Sequence, residues 1–191
     1  SKGHHLIIID HHNYQGGPNR YNKTSSLEQF AKLINHKFNR FEKGLAINDR
    51  AWIYGLISAG YTKKEISKIR SYDLKIQGLN NKVKKLIKQI YKNAVEIVPD
   101  IFICDIPFDI NLSYLRDLIA LRDTNKIISS LLLRRSANNK IVHIVFTGSP
   151  KIVKKLYKTF GGSLAGDERY SMVWTSAENI SQQVIKFLKK I

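Results

Sequence analysis

The stretch at residues 4–12, HHLIIIDHH, decides how the chain is interpreted. Its aliphatic part, residues 6–9, is typical of a buried strand, because β-branched side chains pack well in sheets and nothing polar interrupts the run. Asp10, His11 and His12 then project from the carboxyl end of the strand, where open α/β sheets hold their ligands. A carboxylate beside two imidazoles suits a divalent metal. The alternatives are a polar strand end and a tag remnant, and histidine pairs split by a strand argue against a tag.

Composition limits the class of protein. The chain has 191 residues, enough for one large or two small domains, and 43% of them are hydrophobic, which allows a packed core. No apolar run approaches the roughly 20 residues that cross a bilayer, so we expect no membrane partner. No signal peptide is recognisable, which predicts a cytoplasmic location. Cys104 is the only cysteine. It cannot form an intrachain disulfide, and we expect it to be a small core residue.

Net charge is the second strong feature. The formal charge is +17, and the lysines and arginines are spread along the chain rather than gathered in a tail. A folded domain this basic usually binds a polyanion, and nucleic acid is the main candidate through its phosphates. An acidic membrane surface and a generally lysine-rich proteome are the alternatives, and the abundance of Ile, Lys and Asn supports the second of them.

Sequence patterns divide the chain near residue 96. The first part predicts helices over residues 27–38, 51–58 and 79–94, and another that begins at a Thr62–Glu65 capping box and runs toward Tyr72. The second part predicts strands over residues 95–98, 101–104, 127–133, 141–146 and 170–175. Between and after them, helices are predicted from Asn111 or Ser113 to Leu121, from the Ser149-Pro150 start signal to about Phe160, and from the Ser176 cap to Lys190. This order describes an α/β domain over residues 96–191.

The helix predicted over residues 79–94 carries lysines on one face. Its other face has Val83, Leu86, Ile87 and Ile90 at helical spacing. Solvation alone explains such a lysine face, and contact with phosphates is the more specific interpretation.

The strand that leads into Asp10, His11 and His12 resembles the signature of the DHH phosphoesterases. The resemblance implies a site where two Mn²⁺ or Mg²⁺ ions activate water for attack on phosphorus. His11 would ligate a metal, His12 would contact the scissile phosphate or orient the site, and Asp10 would hold the imidazoles by hydrogen bonds. Asp49 follows an apolar stretch, is similar to the family's later metal-binding aspartate, and would share a metal with His11. The pair Asn48-Asp49 is also an ordinary cap for a following helix.

Two segments of the second part are similar to the DHH-associated domain. The first is Arg134-Arg135-Ser136, after the strand at residues 127–133, and the second is Gly161-Gly162-Ser163, after the next helix. The resemblance implies that both segments bind nucleic-acid phosphates, the first through its arginine side chains and the second through the backbone N–H groups of its glycines. Ser163 stands where the family has a histidine, which puts side-chain chemistry there in doubt. Gly161-Gly162 is also a simple helix C-cap.

Two aromatic residues, Tyr14 and Tyr21, are candidates for base stacking because they lie in a polar loop. The other aromatic candidates are expected to pack in the core or at its edge: Trp52, Tyr54, Tyr170 and Trp174.

The family's active enzymes place further metal ligands before the DHH element, including the aspartate that bridges both ions. Without such ligands His11 and Asp49 would form at most half of a single-metal site. Asp10, His11 and His12 are therefore expected to be catalytic only if another segment completes the centre. The resemblance implies the remainder of a DHH domain over residues 1–95, a parallel sheet with helices, joined to a DHH-associated domain over residues 96–191.

The function implied by the resemblance is nucleic-acid binding by a RecJ-like protein, with single-stranded DNA favoured. The specific prediction is a helicase accessory that binds GINS and MCM, like the archaeal RecJ-like subunit, without self-sufficient nuclease activity. The alternatives are a Mn-dependent single-strand exonuclease or oligonucleotide phosphodiesterase, and a basic RNA-binding module. A cofactor, Mn or Mg, is expected only if the centre has not degenerated.

Overall fold

A computed structural model describes residues 7–10, 24–107, 110–177 and 179–191. These residues form an α/β protein with seven helices and six strands. No helix among them is both long and apolar enough to span a bilayer. In chain order the elements are α1 (Ser26–Leu33), α2 (Arg40–Ser58), α3 (Lys63–Ile76), α4 (Asn81–Lys92), β1 (Val95–Val98), β2 (Ile101–Pro107), α5 (Ser113–Ala120), β3 (Ser129–Arg135), β4 (Ile141–Gly148), α6 (Pro150–Phe160), β5 (Ser163–Asp167), β6 (Ser171–Ser176) and α7 (Ser181–Leu188).

The opening aliphatic run does not form the strand predicted for residues 6–9, as far as it is described. Ile7, Ile8 and Ile9 are not in a strand, and Ile7 and Ile8 are 60% and 52% exposed. A strand needs a neighbour that pairs with its backbone N–H and C=O groups. All six strands of the described residues belong to one sheet that begins at Val95. Before Val95 the described residues form four helices, so the parallel sheet expected there is not confirmed.

Side-chain caps set the starts of the first three helices. Ser25, Asn39 and Thr62 each accept a hydrogen bond from the backbone N–H three residues on, and the glutamate at that position caps in return. The capping box predicted at Thr62 is confirmed and begins α3. The cap at Asn39 begins α2 at Arg40, well before the helix start predicted at residue 51.

The sheet has the strand order β1-β2-β3-β4-β6-β5. Among the described strands only β2 and β3 are parallel, and α5 is the crossover between them. β5 is not predicted from the sequence, because its residues SLAGD include no β-branched side chain and resemble a glycine-rich loop. β5 is an edge strand that pairs with β6, with Ser163 opposite Thr175 and Asp167 opposite Ser171.

Helices cover both faces of the sheet. α6 and α7 pack on one face around the fully buried Phe146 and Trp174, and α4 and α5 pack on the other around Leu132. Cys104 lies in this second core, as predicted, and burial raises the pKa of its thiol to about 11. Since α4 contributes the buried Ile87, packing on the sheet begins before residue 96. The domain boundary near that residue stays a prediction.

A third core joins α2 and α3 to one end of the sheet. Ile53, Leu56 and Ile66 are fully buried in it. The hydroxyl of Tyr54 donates to the carbonyl oxygen of Ile128, just before β3, at 2.8 Å. The helical part of the chain therefore lies at the end of the sheet where β3 begins.

Candidate nucleic-acid interface

The segment at residues 7–10 is held against α1 through its backbone. The side chain of Gln29 donates to the carbonyl oxygen of Asp10 at 2.8 Å, and its amide oxygen accepts from the Asp10 N–H at 3.4 Å. These two hydrogen bonds hold Asp10, the first residue of the Asp10-His11-His12 motif, beside α1. Four predicted site residues lie outside the described residues, and their roles stay predictions: His11, His12, Tyr14 and Tyr21.

Asp49 lies inside α2 and is exposed. The interpretation of Asn48-Asp49 as a helix cap is wrong, because α2 already begins at Arg40. The next residue, Arg50, places its Nε 3.2 Å from a carboxylate oxygen of Glu28 in α1. Gln29 of α1 binds the Asp10 backbone, and its neighbour Glu28 binds Arg50, which adjoins Asp49. The two segments that resemble the DHH phosphoesterases, at Asp10 and at Asp49, therefore both lie beside α1.

α2 is kinked directly after this segment. Trp52 has a φ of 51° and a ψ of −152°, a conformation that costs a side-chain-bearing residue about 1–3 kcal/mol. Two contacts with α5 hold it: the indole N–H donates to Asp117 at 2.9 Å, and the Arg116 guanidinium lies 4.9 Å from the ring centroid. The kink therefore sets the direction of the helical turn that carries Asp49 and Arg50.

A buried polar network fixes the same turn from the inside. Arg70 of α3 is only 5% exposed, and it donates to Asp117 at 2.8 Å, to Asn48 at 3.0 Å and to Asp73 at 2.5 Å. Asn48 in turn donates to Asp73 at 3.1 Å. Burial raises the pKa of Asp117, and the charge and hydrogen bond of Arg70 act against that shift. Three helices thus orient the residue that precedes Asp49.

Sequence reasoning missed Arg70 and Asp117. Helical spacing does indicate that Arg70 is buried, because it lies on the α3 face that also buries Ile66, Ile69 and Leu74. A charge at such a position is tolerated only with a partner, so a buried acid on another helix could have been expected. The sequence pattern does not show which acid that would be.

The β5–β6 hairpin approaches α2 through its turn, at the end of β5 away from the glycine segment. β5 contacts α2, and Tyr170 in the hairpin turn packs against the core of α2 and α3. Arg169 donates to the two carboxylate oxygens of Asp167 at 3.0 and 2.6 Å. This pairing, with a smaller contribution from Arg50, lowers the pKa of Asp167. The hairpin turn therefore lies beside the turn of α2 that carries Asp49.

Gly161, Gly162 and Ser163 are exposed at the start of β5. Gly161 is the C-cap of α6, as predicted, and its carbonyl oxygen accepts from the Trp174 indole at 2.7 Å. Gly162 has a φ of 92°, and a Cβ there would come within 2.3 Å of the Thr175 oxygen. The path of the chain into β5 thus explains both glycines. Phosphate binding by their N–H groups stays a prediction.

The predicted Arg-Ser segment lies at the same end of the sheet as the glycine segment, but three strands away. Arg134 and Arg135 are the last residues of β3 rather than following it, and Ser136 starts the turn to β4. Arg135 donates to Asp105 at 2.8 Å and to the Asn139 carbonyl oxygen at 3.0 Å. β4 and β6 separate β3 from β5, which is about 14 Å across the sheet. The structure therefore does not join the Arg-Ser segment and the glycine segment in one patch.

A predicted metal would need ligands around Asp49. Among the described residues, no group of three His, Cys, Asp or Glu side chains could hold an ion. Of the predicted pair His11 and Asp49, only Asp49 lies in the described part of the chain. The described residues alone do not make a metal site, and we assign no metal-dependent step to them.

No protein-family model matches this chain, and no curated protein matches it. The resemblance to the DHH phosphoesterases therefore rests on the sequence motifs alone.

Proposed function

We propose that this chain is a RecJ-like protein of the DHH type that binds single-stranded nucleic acid. In this proposal α1, α2 and α3 belong to the remainder of a DHH domain, and the six-stranded sheet is the DHH-associated domain. We further propose that it acts beside GINS and MCM as a helicase accessory rather than as a self-sufficient nuclease.

The observation that carries the proposal is the meeting of the β5–β6 hairpin with the kinked part of α2. The hairpin begins at Ser163, in the segment that resembles the DHH-associated domain, and Asp167 next to its turn lies close enough to Arg50 for their charges to interact. Arg50 adjoins Asp49, which resembles the family's metal-binding aspartate. The glycine segment lies at the end of β5 away from this turn. A nucleic-acid strand that follows β5 from the glycine segment to the turn would contact both motifs, and this arrangement supports the proposal.

Charge supports the same function. Several acids in the described residues are paired with arginines, so they add little negative potential at the surface: Asp73, Asp105, Asp117 and Asp167. The lysines supply most of the net charge of +17. Phosphates are the anions that such a surface attracts, with release of the counterions that surround nucleic acid.

A Mn-dependent exonuclease is the second candidate function. It is favoured by the fixed position of Asp10, whose backbone is bound by Gln29 next to the Glu28–Arg50 pair. This places the start of the DHH-like motif near the turn that carries Asp49. In this case another segment or a partner chain would supply the remaining metal ligands.

Fluorescence anisotropy with a labelled single-stranded DNA oligonucleotide tests the binding function. We expect a dissociation constant of about 1–100 µM at physiological salt, the range of sequence-independent binding. Tighter binding of a structured RNA would favour the basic RNA-binding module, and no binding in this range would contradict the proposal.

Two further assays separate the accessory role from the enzyme. Incubation of the labelled DNA with Mn²⁺ should leave it intact, and cleavage that disappears in His11→Ala would establish the exonuclease instead. A pull-down with GINS should recover a complex at micromolar concentration. Failure of that pull-down would remove the helicase role and leave the binding function standing.

A further inference from the structure

α6 presents a stripe of lysines to solvent. Val153 and Leu156 are fully buried against the sheet, and the opposite face of the helix carries the exposed Lys151, Lys154, Lys155 and Lys158. These positions follow the spacing i, i+3, i+4, i+7, so the four side chains lie on one face. We call them the α6 stripe. The helix contains no acid that could offset them.

Most of the α6 stripe has no carboxylate partner in the described part of the chain. Lys154 pairs with Glu168 at 2.6 Å. Among the described residues, no carboxylate lies within ion-pair distance of Lys151, Lys155 or Lys158. Like charges four residues apart on a helix repel each other, as Lys151 and Lys155 do here. An external polyanion would remove this repulsion.

The α6 stripe lies beside the edge strand β5. α6 contacts β5 and ends at Gly161, where the chain passes into the exposed start of that strand. Toward its other end, Lys154 reaches Glu168 in the hairpin turn, and the neighbouring Arg169 is also exposed. That turn lies beside Arg50 of α2. The stripe therefore borders the hairpin that reaches the proposed substrate-binding region.

An aromatic side chain accompanies the stripe. Tyr157 lies on α6 next to Lys158 and is 42% exposed, although a ring of this size usually buries more of its surface. A cationic groove with an exposed aromatic ring is the combination that binds single strands, because phosphates contact the cations while a base stacks on the ring. A duplex keeps its bases stacked on each other and cannot use the ring.

We propose that the α6 stripe is the surface on which single-stranded nucleic acid lies, with its phosphates along the lysines and a base on Tyr157. This inference rests on the proposed nucleic-acid-binding function and adds the surface that performs it. It differs from the sites predicted from the sequence, because it uses neither the Arg-Ser segment nor the side chains of the glycine segment.

α4 provides a matched comparison. Lys82, Lys85 and Lys88 are exposed there, and α4 likewise has no acid in its sequence. It covers the opposite face of the sheet from α6, away from the edge strand β5. If charge alone decided binding, α4 and α6 would contribute equally to the affinity. The proposal predicts instead that only α6 contacts the single-stranded nucleic acid.

The test compares two triple variants that each remove three positive charges, Lys151→Gln/Lys155→Gln/Lys158→Gln and Lys82→Gln/Lys85→Gln/Lys88→Gln. Glutamine keeps a helix-forming side chain, and thermal unfolding followed by circular dichroism verifies that both variants are folded. Anisotropy titrations with labelled single-stranded DNA at several salt concentrations give the affinity and its salt dependence. We expect the α6 variant to bind about tenfold more weakly and its log–log salt slope to be smaller by about 2, since each single-strand phosphate contact contributes about 0.7.

The outcomes separate this inference from the proposed function. If the unaltered protein binds and the α4 variant is the weaker one, or both variants weaken equally, the inference is wrong and the binding function stands. If the unaltered protein does not bind, the function itself fails. Tyr157→Ala should weaken single-strand binding by about fivefold or more and leave duplex binding unchanged. Tighter binding to phosphatidylserine-containing vesicles than to DNA would assign the stripe to membranes instead.

Discussion

Arg70 is a charged residue buried beside the hydrophobic core. Its side chain is 7% exposed, on the face of α3 that otherwise packs into the core. Desolvation would exclude a lone charge from this position, so Asp117, Asp73 and Asn48 make the position possible by accepting its hydrogen bonds. The partners come from α2, α3 and α5. One side chain therefore fixes the mutual positions of three helices around the turn that carries Asp49.

Replacing this cation should destabilise the protein strongly. We expect Arg70→Leu to lower the free energy of unfolding by about 3–5 kcal/mol, because it leaves the carboxylate of Asp117 buried without its charged partner. Urea unfolding measures the change. Lys126→Leu is the control, since it breaks the exposed Lys126–Asp100 pair and should have little effect. Equal unfolding midpoints for the two variants would contradict the account.

Glu65 should make part of the stability dependent on pH. Hydrogen bonds from Arg40 and then from Thr62 lower its pKa from the ordinary value of 4.5 to about 2. Its contribution is therefore complete above pH 4.5 and is lost as the pH falls through about 2. Thermal midpoints of the unaltered protein should decrease over this range, and Glu65→Gln should flatten the decrease while it keeps the capping box. The same pH profile in both proteins would show that this carboxylate is not responsible.

Among the elements, local signals predicted some and failed for others. The capping box at Thr62 and the Ser149–Pro150 pair located α3 and α6, because the interactions that begin these helices lie within four residues. The kink at Trp52 depends on Asp117, which is far away in sequence, and β5 depends on pairing with β6. The opening run has the composition of a strand and no strand beside it among the described residues. Long-range partners decided each of these cases.

The contact between α2 and α3 gives a test at the element scale. A Cβ on Gly44 would lie 2.4 Å from Cδ1 of Ile69 and 2.9 Å from Cε1 of Tyr61. Alanine favours a helix over glycine by about 1 kcal/mol, but overpacking a core costs about 1–3 kcal/mol. We expect Gly44→Ala to be destabilising in chemical denaturation. Ser67→Ala, on the exposed side of α3, should be neutral or slightly stabilising, and a stabilised Gly44→Ala protein would refute the close packing.

At the scale of the whole molecule, the sequence predicted the parts of the candidate site better than their arrangement. Net charge, Asp49 and the glycine segment were identifiable from local patterns. The connection of Asp49 to the glycine segment through β5 was not, because it depends on a hairpin turn that packs against a helix more than a hundred residues earlier. The Arg-Ser segment shows the reverse case. It resembles the same family, yet β4 and β6 separate it from the glycine segment and Asp105 binds Arg135.

The salt dependence of single-strand DNA binding by the unaltered chain tests the central claim most directly. Anisotropy titrations over a range of salt concentrations give the slope of log affinity against log salt. Three or four phosphate contacts along α6 predict a slope of about −2 to −3, with single-stranded DNA bound more tightly than duplex. Absence of binding at low salt, or an affinity that does not change with salt, would contradict the account.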